Sequence, residues 1–205
     1  AMMQAVLDLG IKPDVTGGLS LGEYSALVAS GVMSFEDCAK VVRKRGIYMQ
    51  DEVPVGQGGM AAILALDADK ILEVLEQVDG IVGIANYNCP GQLIISGSID
   101  GVAQACAKLK EAGAKRALQL PVGGAFHSPL MEPARAELAA AIEATPFHEP
   151  ICPVYQNVST KGETNPETIK ANLIAQLTAP VRWTQSVQNM IADGAEHFIE
   201  LGPGT

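Results

Sequence analysis

The sequence predicts an α/β fold in which a core of alternating helices and strands is interrupted by a smaller βαββαβ unit of the ferredoxin-like kind. Three observations predict it. Residues 1–51 and 123–205 alternate between helical and strand periods. Residues 60–122 run strand, helix, strand, strand, helix, strand. A Gly-x-Ser-x-Gly turn, Gly18-Leu19-Ser20-Leu21-Gly22, sits between an apolar strand and a helical run.

Residues 2–9 read as the tail of a helix closed by Gly10, and Pro13 and Asp14 lead into a short strand over 15–19. A helical run follows from Glu23 to Val28. Ser34 caps the next helix, whose third residue is Asp37 and whose apolar stripe holds Cys38, Val41, Val42 and Met49. In the insert, strands are expected at 60–66, 81–87, 92–97 and 116–122. Asn88-Cys89-Pro90-Gly91 makes the tight turn between the middle two, with Pro presetting φ and Gly taking positive φ. The insert's helices carry Ile71, Leu72, Leu75 and Val78, then Val102, Cys106 and Leu109, one stripe each. Beyond it come a helix at 129–143, a strand at 153–158, helices at 166–177 and 182–193, a strand at 197–201 and a turn at Gly202-Pro203-Gly204-Thr205. The expected division is therefore a core of 1–58 and 123–205 with a small subdomain of 59–122.

A chain of 205 residues that is 48% hydrophobic and 18% charged can bury roughly 70% of its unfolded surface, which excludes disorder and low-complexity classes. No apolar run approaches the roughly 18 residues of a membrane span, and Ala1 to Gly10 lacks a basic start and a cleavage site, so a cytoplasmic protein is expected. Lys plus Arg number 14 against 23 Asp plus Glu, a net charge of −9 that opposes binding to nucleic acid or to a membrane surface. The four cysteines are scattered, so neither a metal site nor a disulfide framework is expected, and the thiols should be reduced and mostly buried.

The serine turn is the strongest chemical signal. Small residues two before and two after Ser20 let a strand-to-helix turn close and push the hydroxyl outward, as a nucleophile elbow requires. At the helix N-terminus the backbone N–H of Leu21 is placed to donate to a tetrahedral oxyanion. The plainer reading is a Gly-rich turn with a capping serine. A serine nucleophile needs a base, and three histidines exist. His148 and His197 read as surface residues, whereas His127 lies in a strand-to-helix loop, Gly123-Gly124-Ala125-Phe126-His127-Ser128-Pro129. No acid is placed as its orienter, which leaves a backbone carbonyl for that role. Helix phase turns Arg45 into the apolar stripe and Lys40, Arg43 and Lys44 away from it. A buried guanidinium needs a carboxylate, either an internal acid or a substrate's, unless it snorkels past the helix end.

Several ordered matches resemble the malonyl-CoA:acyl-carrier-protein transacylase family, the acyltransferases of fatty-acid and polyketide synthesis. Gly18 to Leu27 resembles its nucleophile segment, Arg43-Lys44-Arg45-Gly46-Ile47-Tyr48-Met49-Gln50 its malonyl-binding helix, and Gly124-Ala125-Phe126-His127-Ser128 its histidine loop. Gln176-Leu177 with Ala179-Pro180-Val181-Arg182-Trp183 resembles the segment whose glutamine carbonyl orients that histidine, and Glu200-Leu201-Gly202-Pro203-Gly204 its closing motif.

The resemblance implies a hydrolase-like α/β core with a parallel sheet and the ferredoxin-like insert. It implies that Ser20 attacks malonyl-CoA with His127 as base, that Arg45 holds the free carboxylate, and that Phe126 disfavours methylmalonyl. Malonyl-Ser20 then passes its acyl group to the phosphopantetheine thiol of acyl carrier protein. No cofactor is implied, and Asn86 and Asn88 are either site contacts or turn formers. Leu19 stands where many members carry histidine. The family opens with a strand and a Gly-Gln-Gly turn that supplies a second oxyanion donor; no such segment stands here, so these 205 residues alone are expected to be poorly stable or inactive. Two rival functions use the same residues: a serine esterase or thioesterase, and a non-catalytic scaffold that binds carrier protein.

Overall fold

Helices form where one apolar stripe recurs, and strands where small and β-branched residues run between turns. The computed structural model describes residues 2–52 and 56–202. The element order is α1 Met2–Asp8, β1 Thr16–Gly17, α2 Leu21–Ala29, α3 Phe35–Glu52, β2 Gly58–Leu64, α4 Ala68–Leu75, β3 Val82–Cys89 and β4 Gln92–Ser98. It continues with α5 Ile99–Glu111, β5 Arg116–Gln119, α6 Arg135–Glu143, β6 Val154–Tyr155, β7 Gly162–Glu163, α7 Pro166–Ala175 and α8 Trp183–Ala192. Ser34 caps α3 as its position implies: the hydroxyl accepts from the Asp37 N–H at 3.1 Å and donates to the Asp37 carboxylate at 2.8 Å.

Among the described residues the strands form two sheets. In the first, strands run in the order β3-β4-β2-β5, every pair antiparallel. α4 and α5 pack on one face of this sheet and bury Ile63, Ile71, Ile95 and Leu109 completely. The other face presents Met60, Ala62, Ala85 and Ile94 to Leu120 and Phe126. The second sheet, β1-β6-β7, is mixed: β1 pairs parallel with β6 (Thr16 with Val154, Gly17 with Tyr155), and β7 returns antiparallel. Around it a larger core joins α2, α3, α6 and α7 through Leu27, Val41, Leu138, Ile142, Ile169 and Leu173. The segment between α7 and α8 ties the two halves together, because the Val181 N–H donates to Ala85 at 2.8 Å and its carbonyl accepts from Tyr87 at 2.9 Å.

Several expectations change in detail. The parallel sheet of the core is reduced, among the described residues, to the single β1–β6 pair, and β7 had no alternating apolar pattern to announce it. The strand expected at 197–201 does not form; Phe198, Ile199 and Leu201 are exposed, and no described strand lies beside their backbone to complete a ladder. The helix expected at 129–143 begins as a 3₁₀ turn, Pro129–Ala134, before α6, because Pro133 has no N–H for an α-helical bond. The closing turn at 202–205 falls, from residue 203, outside the described residues. Cys38, Cys106 and Cys152 are buried free thiols, and Cys89 is an exposed one.

Candidate active site

Ser20 occupies the junction of β1 and α2 with φ 50° and ψ −100°, a conformation that costs an L residue about 1–3 kcal/mol. Its surroundings hold it there. Gly18 lies so close to the turn's far side that an added Cβ would stand 2.0 Å from the Gly22 carbonyl carbon, so no larger residue fits. Gly22 itself faces open space and is not required sterically. The Asn157 side chain then bridges the turn, accepting from the Ser20 N–H at 2.6 Å and donating to the Gly18 carbonyl at 2.7 Å. The Ser20 N–H is thereby occupied. The Leu21 N–H, first in α2, has no acceptor among the described residues and is free to donate.

His127 meets the serine from the loop after β5. Its Nε2 lies 2.7 Å from Ser20 Oγ, and its Nδ1 lies 2.9 Å from the Gln176 carbonyl oxygen. A carbonyl only accepts, so Nδ1 carries the proton and Nε2 is left as the acceptor for the serine hydroxyl. That carbonyl is available because Gln176 ends α7, where the last carbonyls lack intrahelical donors. Burial pushes the imidazole down to about 4, with the Arg45 guanidinium acting in the same direction and the Gln176 carbonyl against both. His127 is therefore a neutral base at ordinary pH. It sits at φ 56°, so nucleophile and base are both held in the left-handed region.

Arg45 projects from α3 into the same space, 8% exposed, while Lys40, Arg43 and Lys44 stay on the solvent side, as helix phase required. Its Nη2 donates to Ser20 Oγ at 3.0 Å and reaches Gln176 Oε1 at 3.5 Å, and its guanidinium lies 5.5 Å from the centre of the Tyr24 ring. Among the described residues no Asp or Glu pairs with it, and its Nε has no acceptor. The internal-acid and snorkelling alternatives fall away. Ser20, Arg45 and His127 line one cavity of about 470 Å³ with Met49, Met60, Asn86, Gly124 and Phe126. Phe126 packs against both the large core and the small sheet, and its ring fills the place where Gly124 would carry a Cβ. Asn86 borders the cavity from β3; Asn88 lies near the end of the same strand, outside the cavity lining, and the turn expected from Asn88 is confined to Pro90 and Gly91.

Sequence reasoning passed over the layer beneath the serine. Glu23, wholly buried in the first turn of α2, accepts from the Asn157 N–H at 2.7 Å and from Gln156 Nε2 at 3.0 Å. Burial raises its carboxyl to about 7, opposed chiefly by the Asn157 N–H. The only available signal was an acid that interrupts an apolar helix, Glu23-Tyr24-Ser25-Ala26-Leu27. Asn157 and Gln156 carried no signal, since their partners lie more than a hundred residues away.

Comparison with known proteins places this arrangement. Residues 1–204 match the family described as Acyl transferase domain. The chain belongs to that acyltransferase family. Within the family it is 47% identical, over its whole length, to a malonyl CoA-acyl carrier protein transacylase of Bacillus subtilis, and 44% identical to one of Staphylococcus aureus. It covers 65% and 67% of those two relatives, so this acyltransferase chain spans about two thirds of their length. The fold superposes on an acyl carrier protein S-malonyltransferase from Vibrio cholerae with a TM-score of 0.96 at 45% identity, covering 99% of this chain and 67% of that one. It also superposes, with a TM-score of 0.92 and 40% identity, on the structure titled type II PKS acyl-carrier protein in complex with its malonyl-transacylase, covering 94% of this chain and 63% of that one. The mixed α/β architecture is therefore that of an acyltransferase. Among the described residues no helix is long and apolar enough to cross a membrane, and no three His, Cys, Asp or Glu side chains cluster as metal ligands would.

Proposed function

We propose that this acyltransferase chain transfers a malonyl group from malonyl-CoA to the phosphopantetheine thiol of an acyl carrier protein, through a malonyl-Ser20 intermediate, as a step of fatty-acid biosynthesis in the cytoplasm. One observation carries the reading: a neutral imidazole and an unpaired guanidinium meet on a single serine hydroxyl, at 2.7 and 3.0 Å. The first makes the serine a nucleophile, and the second recognises an acyl group with a carboxylate at its far end. The names of the relatives point to the same donor and acceptor.

In the forward half-reaction Ser20 Oγ attacks the thioester carbonyl carbon while its proton passes to His127 Nε2, and the developing oxyanion takes a hydrogen bond from the Leu21 N–H. Collapse breaks the carbon–sulfur bond, and His127 gives that proton to the departing CoA thiolate, which returns the imidazole to its neutral state. In the second half the carrier thiol gives its proton to His127 and attacks the malonyl ester, and Ser20 Oγ recovers the proton as it departs. Arg45 holds the malonyl carboxylate throughout, and Gln176 orients His127 through its carbonyl. Phe126 narrows the cavity against a methyl branch. No cofactor or metal takes part in this scheme: malonyl-CoA is substrate and phosphopantetheine belongs to the carrier. The finer fold reading accompanies it, with a hydrolase-like core over 1–58 and 123–205 supported by the strained serine between β1 and α2. A ferredoxin-like subdomain over 59–122 is supported by the antiparallel order β3-β4-β2-β5 with both helices on one face.

The test is intact-mass measurement after mixing with malonyl-CoA. A malonyl adduct on Ser20 that persists until holo carrier protein is added is the expected result, and Ser20→Ala abolishes it. Steady release of malonate in water identifies a thioesterase instead. Absence of any adduct while carrier protein still binds identifies a scaffold.

A further inference from the structure

The acylation chemistry uses Ser20, His127, Arg45 and Gln176, and leaves unexplained a fully buried carboxylate one helical turn behind the nucleophile. Such a carboxylate is expensive unless its lone pairs are filled. Glu23 has both oxygens filled by donors from one segment: Oε2 by the Asn157 N–H at 2.7 Å, Oε1 by Gln156 Nε2 at 3.0 Å. Gln156 is itself pinned, donating to the Ile169 carbonyl at 3.1 Å and accepting from Asn172 at 2.9 Å, so the carboxylate grips a segment already fixed to α7. The next link reaches the nucleophile. Asn157 uses its side chain to take the Ser20 N–H at 2.6 Å and to hold the Gly18 carbonyl at 2.7 Å, and Gln176 Nε2 reaches the Ser20 carbonyl at 3.2 Å and Asn157 Oδ1 at 3.4 Å. The Ser20 N–H, the Ser20 carbonyl and the Gly18 carbonyl thus all meet side chains of Asn157 or Gln176, and Asn157 is held at its own N–H by Glu23.

We infer that Glu23 is a positioning residue for acyl transfer: through the Asn157 N–H it fixes the bridge that holds Ser20 at its positive φ, and so sets the angle of Oγ toward His127 and the acyl carbon. It touches no substrate. The inference rests on the acyl-transfer reading above. Two features support an electrostatic grip over simple space-filling. Both groups aimed at the carboxyl are N–H donors, so an acceptor-only carboxylate fits and an amide cannot. An amide at this position would set its NH₂ against one of those donors, and Gln156 cannot turn to relieve the clash without losing both Ile169 and Asn172.

The experiment measures malonyl-Ser20 formation by rapid quench over a range of malonyl-CoA concentrations, with thermal melting in parallel. Glu23→Gln and Glu23→Ala are expected to slow acylation at saturation on the order of 100-fold, the scale of a misplaced nucleophile, while KM stays unchanged because Arg45 still binds the carboxylate. Asn157→Ala, which keeps the N–H on Glu23 but removes the bridge, is expected to reproduce the slow acylation, and it decides the matter should the position 23 variants not fold. Acylation rates within twofold of the parent in either Glu23→Gln or Asn157→Ala overturn the inference, as does a loss confined to KM. A parent protein that forms no malonyl-Ser20 sinks the acyl-transfer reading; a parent that forms it alongside equally fast variants sinks this inference alone.

Discussion

A guanidinium at 8% exposure with no ion-pair partner among the described residues is costly to bury. Its stacking on Tyr24 and its bonds to neutral oxygens offset only part of that cost, so the site is built to receive an anion. A malonyl carboxylate supplies one and acetyl does not. Arg45→Ala is therefore expected to lower malonyl transfer on the order of 100-fold, the loss that follows when one member of a buried charge pair is cut away, and to leave acetyl transfer within a few-fold. Parallel assays with the two CoA esters check this. The bond from Arg45 to Ser20 Oγ sharpens the comparison: equal losses for both esters would place the arginine's main work on the serine instead of the substrate.

At the scale of elements, the serine turn between β1 and α2 separates two glycines that a motif treats alike. Gly18→Ala drives a Cβ into the Gly22 backbone, and loss of several kcal/mol or failure to fold is expected, because backbone cannot yield as a flexible side chain can. Gly22→Ala meets nothing, lies in the first turn of α2, and is expected to raise stability by about 0.5–1 kcal/mol through helix propensity. Denaturant melts of the two variants test the pair. The turn was legible as a spacing of small residues, but which glycine it needs depends on what crosses it in space. The same limit governs strands. The insert's strands were legible because each carries its own apolar run, whereas β7 and the failed strand at 197–201 were decided by whether a partner edge lies alongside.

Across the whole molecule, the side chains of the active site were readable because each had a local cue: a turn for Ser20, a loop for His127, a helix phase for Arg45. Of the layer that holds them only Gln176 was reached, and through family resemblance; Glu23 and Asn157 were not readable, since they acquire meaning only when β1, β6 and α7 converge. That convergence leaves a signature in the pH dependence of folding. Burial raises the Glu23 carboxyl from 4.5 to about 7, so its contribution to stability is whole below pH 4.5 and declines as pH rises to about 7. Burial lowers the His127 imidazole from 6.5 to about 4, so its contribution is whole above pH 6.5 and declines as pH falls toward 4. The two slopes are opposite, each about 1.4 kcal/mol per pH unit where it acts alone, and they overlap between pH 4.5 and 6.5. From this pair the parent gains almost no pH dependence in that window. Glu23→Gln removes one slope and is expected to make stability climb with pH by roughly 2–3 kcal/mol between pH 4 and 6.5, whatever its absolute value. His127→Asn removes the other and is expected to make stability fall over the same range. Denaturant melts at half-unit intervals measure both, each read as its difference from the parent so that carboxylates elsewhere cancel. Parallel curves for parent and Glu23→Gln would show that the carboxylate ionises in the fold as it does in the unfolded chain, and that its two N–H donors fully offset its burial.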